Sequence, residues 1–344
     1  MPGIFGFVSA RPLPQAGEIL REMGSLLSSH GDQDAAAIVG GTWGLGATWI
    51  PGLQADPEPL APAGGGPCSV AVGEVYPSGS ALTAPPASPR GAILEALSAG
   101  DPARLANANG QFAGAVLDPR TGTLSVVCDR YGLHPLYYTW KEGLFAFASE
   151  LKALLALPGL STGLDPQGLA NLLLLGEQFA DTTLLGAVKA APAAALLRSR
   201  GGRPEVTRWW RIRFTASIPE TERADAAREA GRLFRQAVVR QSADPRRIGV
   251  PLSGGLDSRI CLAAIPEPGG LPPRPSPGGT RAASTGGSRR RSPGDAGPAI
   301  STSTTATSAS WTSPPRGSGS RMGCPAAPTS ISCRISTTWP PMPT

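Results

Sequence analysis

Gly110-Gln111-Phe112-Ala113-Gly114-Ala115-Val116-Leu117-Asp118, the four residues Pro119-Arg120-Thr121-Gly122, and Thr123-Leu124-Ser125-Val126-Val127-Cys128-Asp129 read together as one antiparallel hairpin. Two apolar, β-prone runs of strand length flank a proline–glycine turn, and such a turn sends the chain straight back beside itself. The pattern repeats directly downstream. Leu136–Trp140, a turn at Lys141-Glu142-Gly143 and Leu144–Ala148 form a second strand–turn–strand unit. Upstream, Ser69–Tyr76 is a run with the length of a buried strand, and Met1–Val8 is a β-prone opening. Gly24–Gly46 is glycine-rich, with Thr42–Gly46 able to end a strand, and Gly91–Leu97 supports a short helix. Repeated strand–turn–strand units with few helices imply stacked antiparallel sheets, an α+β class for this part of the chain.

The charge is unevenly placed. Across 344 residues the formal net charge is +6, yet residues 1–265 hold 23 basic and 23 acidic side chains. The excess lies in residues 266–344, with eight arginines against two acids, so no basic stripe marks a nucleic-acid face. No apolar run approaches the roughly 20 residues that span a bilayer, so no membrane partner is expected. Cys68, Cys128, Cys261, Cys324 and Cys333 follow neither metal-ligand nor disulfide-framework spacing. With no signal-like N-terminus, the expectation is a cytoplasmic protein with reduced thiols.

Beyond the hairpins the period changes. Asp165-Pro166 opens a helix with a capping carboxylate and a first-turn proline, Leu169–Leu175 fills it, and Gly176 closes it. The four leucines Leu172–Leu175 are expected to pack between domains. Thr221–Gln241 carries Ala227, Ala230, Leu233, Phe234, Ala237 and Val238 at helical spacing, with acids at its start and arginines near its end. A strand over Arg247–Leu252 follows, then the loop Leu252-Ser253-Gly254-Gly255-Leu256-Asp257-Ser258 and another helix. Helix, strand, glycine loop and helix are how a doubly wound α/β domain begins, with ligands beyond the strand's carboxyl end. The two glycines let backbone approach an anion, and the serines add hydroxyl donors. It lacks the lysine of a Walker A loop.

Two signatures in this order carry a family resemblance. Asp129-Arg130-Tyr131-Gly132-Leu133-His134-Pro135-Leu136-Tyr137-Tyr138 and Ala148-Ser149-Glu150-Leu151-Lys152-Ala153-Leu154 precede the Ser253–Ser258 loop at a suitable distance. Over residues 1–265 the chain resembles the glutamine-hydrolysing asparagine synthetase family, including its β-lactam-forming and lasso-peptide-cyclising relatives. The resemblance implies an N-terminal-nucleophile-type sandwich of antiparallel sheets with helices over residues 1–160, then a connecting region over 161–220. It implies the start of a doubly wound ATP-pyrophosphatase domain over 221–265. By the same resemblance the Ser253–Ser258 loop cradles ATP phosphates, Leu252 borders the adenosine, and Asp257 helps hold Mg²⁺. The family reaction joins a small-molecule or peptide carboxylate to an amine or ammonia through an acyl-adenylate. A homodimer is among the assemblies open to such a chain.

The glutaminase half departs from the family pattern. In the family a cysteine directly after the initiator Met attacks glutamine, its own α-amine serving as base. Here that position is Pro2, which has no thiol. The clamp arginine falls at Thr48 or Trp49, and the Arg-Gly-Pro-Asp segment corresponds loosely to Gly31-Asp32-Gln33-Asp34. The oxyanion stretch reads Val72-Gly73-Glu74, and the acidic partner of the glutamine amine aligns with Pro89 or Arg90. No catalytic residue is therefore assigned in this half, and the expectation is a retained scaffold without glutaminase activity. Cys68 and Cys128 lie in strands and do not replace the nucleophile. His134 is expected to be a solvated turn residue, and His30 gets no catalytic role.

Residues 266–344 contain only Leu271, Ile300, Ile331 and Ile335 from the Leu/Ile/Val/Phe class. Such a composition does not offset its own ordering entropy. It fits either a disordered tail or the out-of-frame translation of a GC-rich gene. In the second case, reading Ser330–Trp339 from each third base restores a leucine- and aspartate-rich sequence. The expectation is an ATP-dependent amide-forming ligase whose own glutaminase is inactive and whose chain, as written, is incomplete. The alternative is a non-catalytic remnant that binds a partner.

Overall fold

The computed structural model describes residues 3–28, 33–51, 66–76, 89–214, 219–243, 250 and 255–266. In chain order the first elements are β1 (Gly3–Ser9), α1 (Ala16–Leu27), β2 (Asp34–Val39), β3 (Trp43–Trp49), β4 (Cys68–Tyr76) and α2 (Pro89–Ser98). Two hairpins follow, β5 (Asn109–Asp118) with β6 (Thr123–Cys128), and β7 (Tyr137–Lys141) with β8 (Leu144–Ala148). Then come α3 (Pro166–Leu175), β9 (Lys189–Ala190), β10 (Ala195–Ser199), β11 (Glu205–Arg208), α4 (Arg223–Gln241) and α5 (Leu256–Ala264).

The strands form two sheets, ordered β2-β3-β1-β8-β7-β9 and β11-β10-β6-β5-β4, and the strand pairs in both are antiparallel. The side-chain period of two sorts β1 between two cores. Ile4 and Val8 point into the space between the sheets, where they meet Leu45, Val70, Val72, Leu117, Val126 and Phe147. Phe5 and Phe7 point the other way, onto Ile19, Leu20, Met23 and Leu27 of α1. On the far side, Ile93, Leu94 and Leu97 of α2 cover Phe112, Val116 and Val127. The order helix, sheet, sheet, helix explains why β1 is apolar on both faces: each face is covered.

The β5–β6 turn closes as its residues dictate. Asp118 Oδ1 accepts the Arg120 N–H at 2.9 Å, and Gly122 takes φ +64°. The α3 cap forms as expected, with Asp165 Oδ1 accepting the Gln167 and Gly168 N–H groups and Gly176 left-handed at φ +75°.

The structure differs from the sequence expectations in five places. The stretch through residue 27 holds α1, which the glycines obscured, and Asp34–Val39 is a full edge strand. His134 is buried, not solvated. Leu173, Leu174 and Leu175 are 74%, 81% and 60% exposed, so the leucine run of α3 is an open ridge. α4 is helical where expected, yet none of its residues is buried. The strand expected over Arg247–Leu252 lies outside the described residues, save Val250.

Candidate functional site

β1 enters the middle of its sheet, between β3 and β8. Two hydroxyls from those neighbours hold its first residues. Gly3 N–H donates to Thr48 Oγ1 at 3.1 Å, and Ile4 N–H donates to Ser149 Oγ at 2.9 Å. Ser149 N–H returns the bond to the Ile4 carbonyl at 2.9 Å. Both hydroxyl residues are fully buried. The chain start therefore sits at a fixed end of the sandwich, and Pro2 directly precedes it in sequence, outside the described residues.

The second sheet brings Gly73, Phe112 and Asp129 side by side. Gly73 opposes Phe112 across β4–β5, and Asp129 N–H donates to the Phe112 carbonyl at 2.9 Å. Gly73 has φ +95°, and a Cβ there would land on the Gln111 carbonyl oxygen, so no other residue fits without moving backbone.

The chain crosses from β6 to β7 through Asp129–Leu136, and one buried carboxylate organises the crossing. Asp129 Oδ1 accepts the Tyr131 and Leu133 N–H groups at 3.0 Å each, and Oδ2 accepts that of His134 at 2.7 Å. Three donors satisfy this fully buried acid. Gly132 supplies the left-handed turn at φ +68°. Arg130 reaches back to the Ala106 and Ala108 carbonyls at 2.9 and 3.3 Å, and its guanidinium lies 5.2 Å over the Trp210 ring. The Asp-Arg-x-Gly signature is thus the fastening of this loop.

Burial pushes the His134 imidazole below its ordinary range, with Asp129 opposing that shift. Among the described residues its Nε2 makes no hydrogen bond. The cysteines of the sandwich are unsuited to nucleophilic work. Burial pushes the Cys128 thiol up to about 12, and its Sγ donates to the Pro192 carbonyl at 3.3 Å. Cys68 is also raised by burial, and it pairs with Leu117, at the opposite end of β4 from Gly73.

The positions that would grip glutamine are occupied otherwise. Thr48 is spent on the Gly3 N–H, and Val72 is buried in the core between the sheets. Glu74 accepts a hydrogen bond from the Tyr76 hydroxyl. Pro89 opens α2. Gly31, Asp32 and His30 lie outside the described residues.

Of the nucleotide loop, Gly255, Leu256, Asp257 and Ser258 are described, whereas Leu252, Ser253 and Gly254 are not. Gly255 is extended at φ −71°, ψ 170°, and no side chain caps the start of α5. Asp257 is exposed in the first helical turn. A helix start over a glycine suits a phosphate. Among the described residues no three His, Cys, Asp or Glu side chains gather into a metal site, so Asp257 offers a single carboxylate. No helix there is long and apolar enough to cross a membrane.

Residues 1–210 match the glutamine amidotransferase domain family. The chain belongs to that family. Within it, the chain is asparagine synthetase-like. It is 34% identical over 157 residues to the glutamine-hydrolysing asparagine synthetase 3 of Bacillus subtilis, covering 45% of this chain and 25% of that protein. It is 29% identical over 161 residues to the amidase chry2 of Gibberella zeae, covering 45% and 23% respectively. A putative asparagine synthetase 2 of Methanocaldococcus jannaschii is 24% identical over 161 residues, covering 46% and 31%. The chain thus spans about a quarter to a third of the length of these relatives. Among solved structures, a Bacillus subtilis glutamine phosphoribosylpyrophosphate amidotransferase aligns with TM-score 0.40 at 14% identity, over 76% of this chain and 63% of that one.

Inside this amidotransferase domain, the residues the sequence reading left without a role are Ser149 and Asp129. Both were visible in the quoted signatures. The signal that marks them is chemical: a small hydroxyl directly after an apolar strand, and an acid directly before a glycine-bearing turn.

Proposed function

We propose that the amidotransferase domain of this chain is a non-hydrolysing scaffold attached to the opening of an ATP-dependent amide ligase. The observation that carries the reading is the chain start. Thr48 and Ser149 hold the backbone of residues 3 and 4 as a terminal nucleophile would require, yet the residue delivered there is Pro2. A thioester needs a thiolate, and the buried thiols of Cys68 and Cys128 are raised, not lowered. The losses at the clamp, oxyanion and amine-partner positions act in the same direction.

The ligase reading rests on Leu252–Ser258. Ser253, Gly254, Gly255 and Ser258 would hold ATP phosphates, Leu252 and Leu256 would flank the loop, and Asp257 would take Mg²⁺. When bound, the metal would neutralise charge developing on leaving pyrophosphate. The substrates are a small-molecule or peptide carboxylate and an amine or free ammonia.

Two assays test this. Ammonia release from glutamine is expected to be absent, and the Pro2→Cys variant is expected to stay inactive because the clamp and oxyanion donor are missing; glutamine-dependent ammonia release by the unaltered chain refutes the scaffold reading. Carboxylate-dependent exchange between pyrophosphate and ATP tests the ligase. We expect none from the chain as written and restoration after the reading frame is corrected near codons 266–275; an intact frame at the locus refutes the frameshift reading. A second reading, a partner-binding remnant, is favoured by α4, whose residues are exposed or half-buried, and is supported if a frame-corrected protein shows no exchange with any carboxylate.

A further inference from the structure

The segment that leaves the sandwich carries an unusual side-chain set. Arg208, Trp209, Trp210, Arg211, Ile212 and Arg213 line a concavity of about 640 Å³. That volume lies within the range of small-molecule sites, roughly 300–1,000 Å³. Its described walls are two indoles, three guanidiniums and one aliphatic side chain.

Two observations show that this is more than a basic surface. First, the indoles are held in place. Trp209 N–H donates to the Ala194 carbonyl at 3.0 Å and Trp209 Nε1–H to the Cys128 carbonyl at 3.1 Å. The Trp210 ring meets the edge of Tyr131 at 5.3 Å, with the Arg130 guanidinium 5.2 Å from its centroid. Second, the charge is uncompensated. Among the described residues Arg208, Arg211 and Arg213 form no ion pair, whereas Arg104, Arg120, Arg228 and Arg232 each have an acid beside them. Three like charges around one concavity repel each other, and an anion is what would relieve that repulsion.

We propose that residues 208–213 form a binding site for a nucleoside polyphosphate, separate from the Leu252–Ser258 loop. Guanidiniums grip phosphate oxygens through paired N–H donors, and fixed indoles give a planar base an apolar wall. A polyanionic polymer is the alternative that the RNA titration below separates. The inference does not rest on the ligase reading, because binding here involves no turnover.

The test is calorimetric titration of the full-length chain with ATP, inorganic tripolyphosphate and adenosine, comparing the unaltered protein with Arg211→Glu/Arg213→Glu and with Asp257→Ala. Both arginines are exposed, so the double variant keeps its fold, which the unfolding midpoint and near-UV circular dichroism verify. The expected result is ATP binding tighter than either fragment and weakened at least tenfold in the arginine variant. Trp210→Phe, which retains a ring, is expected to weaken ATP more than tripolyphosphate. ATP affinity unaffected by the double charge reversal overturns the proposal. So does ATP binding lost in Asp257→Ala, which assigns the nucleotide to the loop and leaves the ligase reading standing. Tighter binding of a short RNA than of ATP also overturns it.

Discussion

Replacing Ser149 by alanine tests whether the hydroxyl at the end of β8 secures the start of the chain. Ser149 is fully buried, and its Oγ accepts the Ile4 N–H at 2.9 Å. Alanine fills nearly the same space but leaves that N–H without an acceptor where water does not reach. An orphaned buried donor costs about 1–3 kcal/mol. At the middle of that range the midpoint of thermal unfolding falls by roughly 4–8 °C for a domain of this size. The control is Ser161, whose Oγ accepts the Gly163 N–H at 3.3 Å in an exposed turn. There water takes over the bond, and Ser161→Ala should stay within about 0.5 kcal/mol of the unaltered chain. Denaturant titration at fixed pH measures both variants, with equal m-values confirming the same two states. Thr48→Val removes the neighbouring acceptor, and its effect should couple with that of Ser149→Ala, because both act on adjacent residues of β1. If Ser149→Ala is as mild as Ser161→Ala, the hydroxyl does not secure the chain start and the reasoning is refuted.

Gly73→Ala should cost more, above about 3 kcal/mol, since it combines a left-handed backbone with a collision on the Gln111 carbonyl; soluble yield and denaturant midpoint measure it, and a near-neutral result refutes the geometry. His134 gives stability a pH dependence of defined sign. Its folded pKa lies below the ordinary 6.5, so the unfolded chain takes up the proton first as pH falls. Stability should therefore be full above about pH 6.5 and decline below it until the folded pKa is passed. His134→Gln should flatten that decline between pH 7.5 and 5, and an unchanged slope would assign it to another group. Cys128, with its thiol raised to about 12, should resist iodoacetamide at pH 8 in the folded protein and react once unfolded, as peptide mass spectrometry would read.

How much of this was legible in the sequence depends on where the deciding physics lies. The hairpins were legible because their turns are local: Asp118 and Gly122 fix the β5–β6 reversal within a few residues. α3 was legible from Asp165, Pro166 and Gly176 for the same reason. α1 was not, although Ile19, Leu20, Met23 and Leu27 follow helical spacing. Gly24 begins the glycine-rich stretch, yet in the fold it lets the helix settle on Phe5, whose ring would lie 3.1 Å from an added Cβ. The burial of His134 depends on a loop fastened by Asp129 across two sheets, and nothing local announces it. The loss of a thiol at position 2 was plain from one residue. That Thr48 and Val72 have been absorbed into fastening and core needed the strand registers.

The central seat of β1 also bears on how the chain is made. Its flanking partners are residues 43–48 on one side and residues 144–148 on the other. β1 is therefore completed by a strand synthesised about 140 residues later, a delay of roughly 7–28 s at ordinary elongation speeds. Through that interval Ile4, Phe5, Phe7 and Val8 have one sheet neighbour at most. Such high contact order slows folding and exposes an aromatic strand to chaperones and to other nascent copies. The beginning of this chain is among the last parts of the sandwich to become secure.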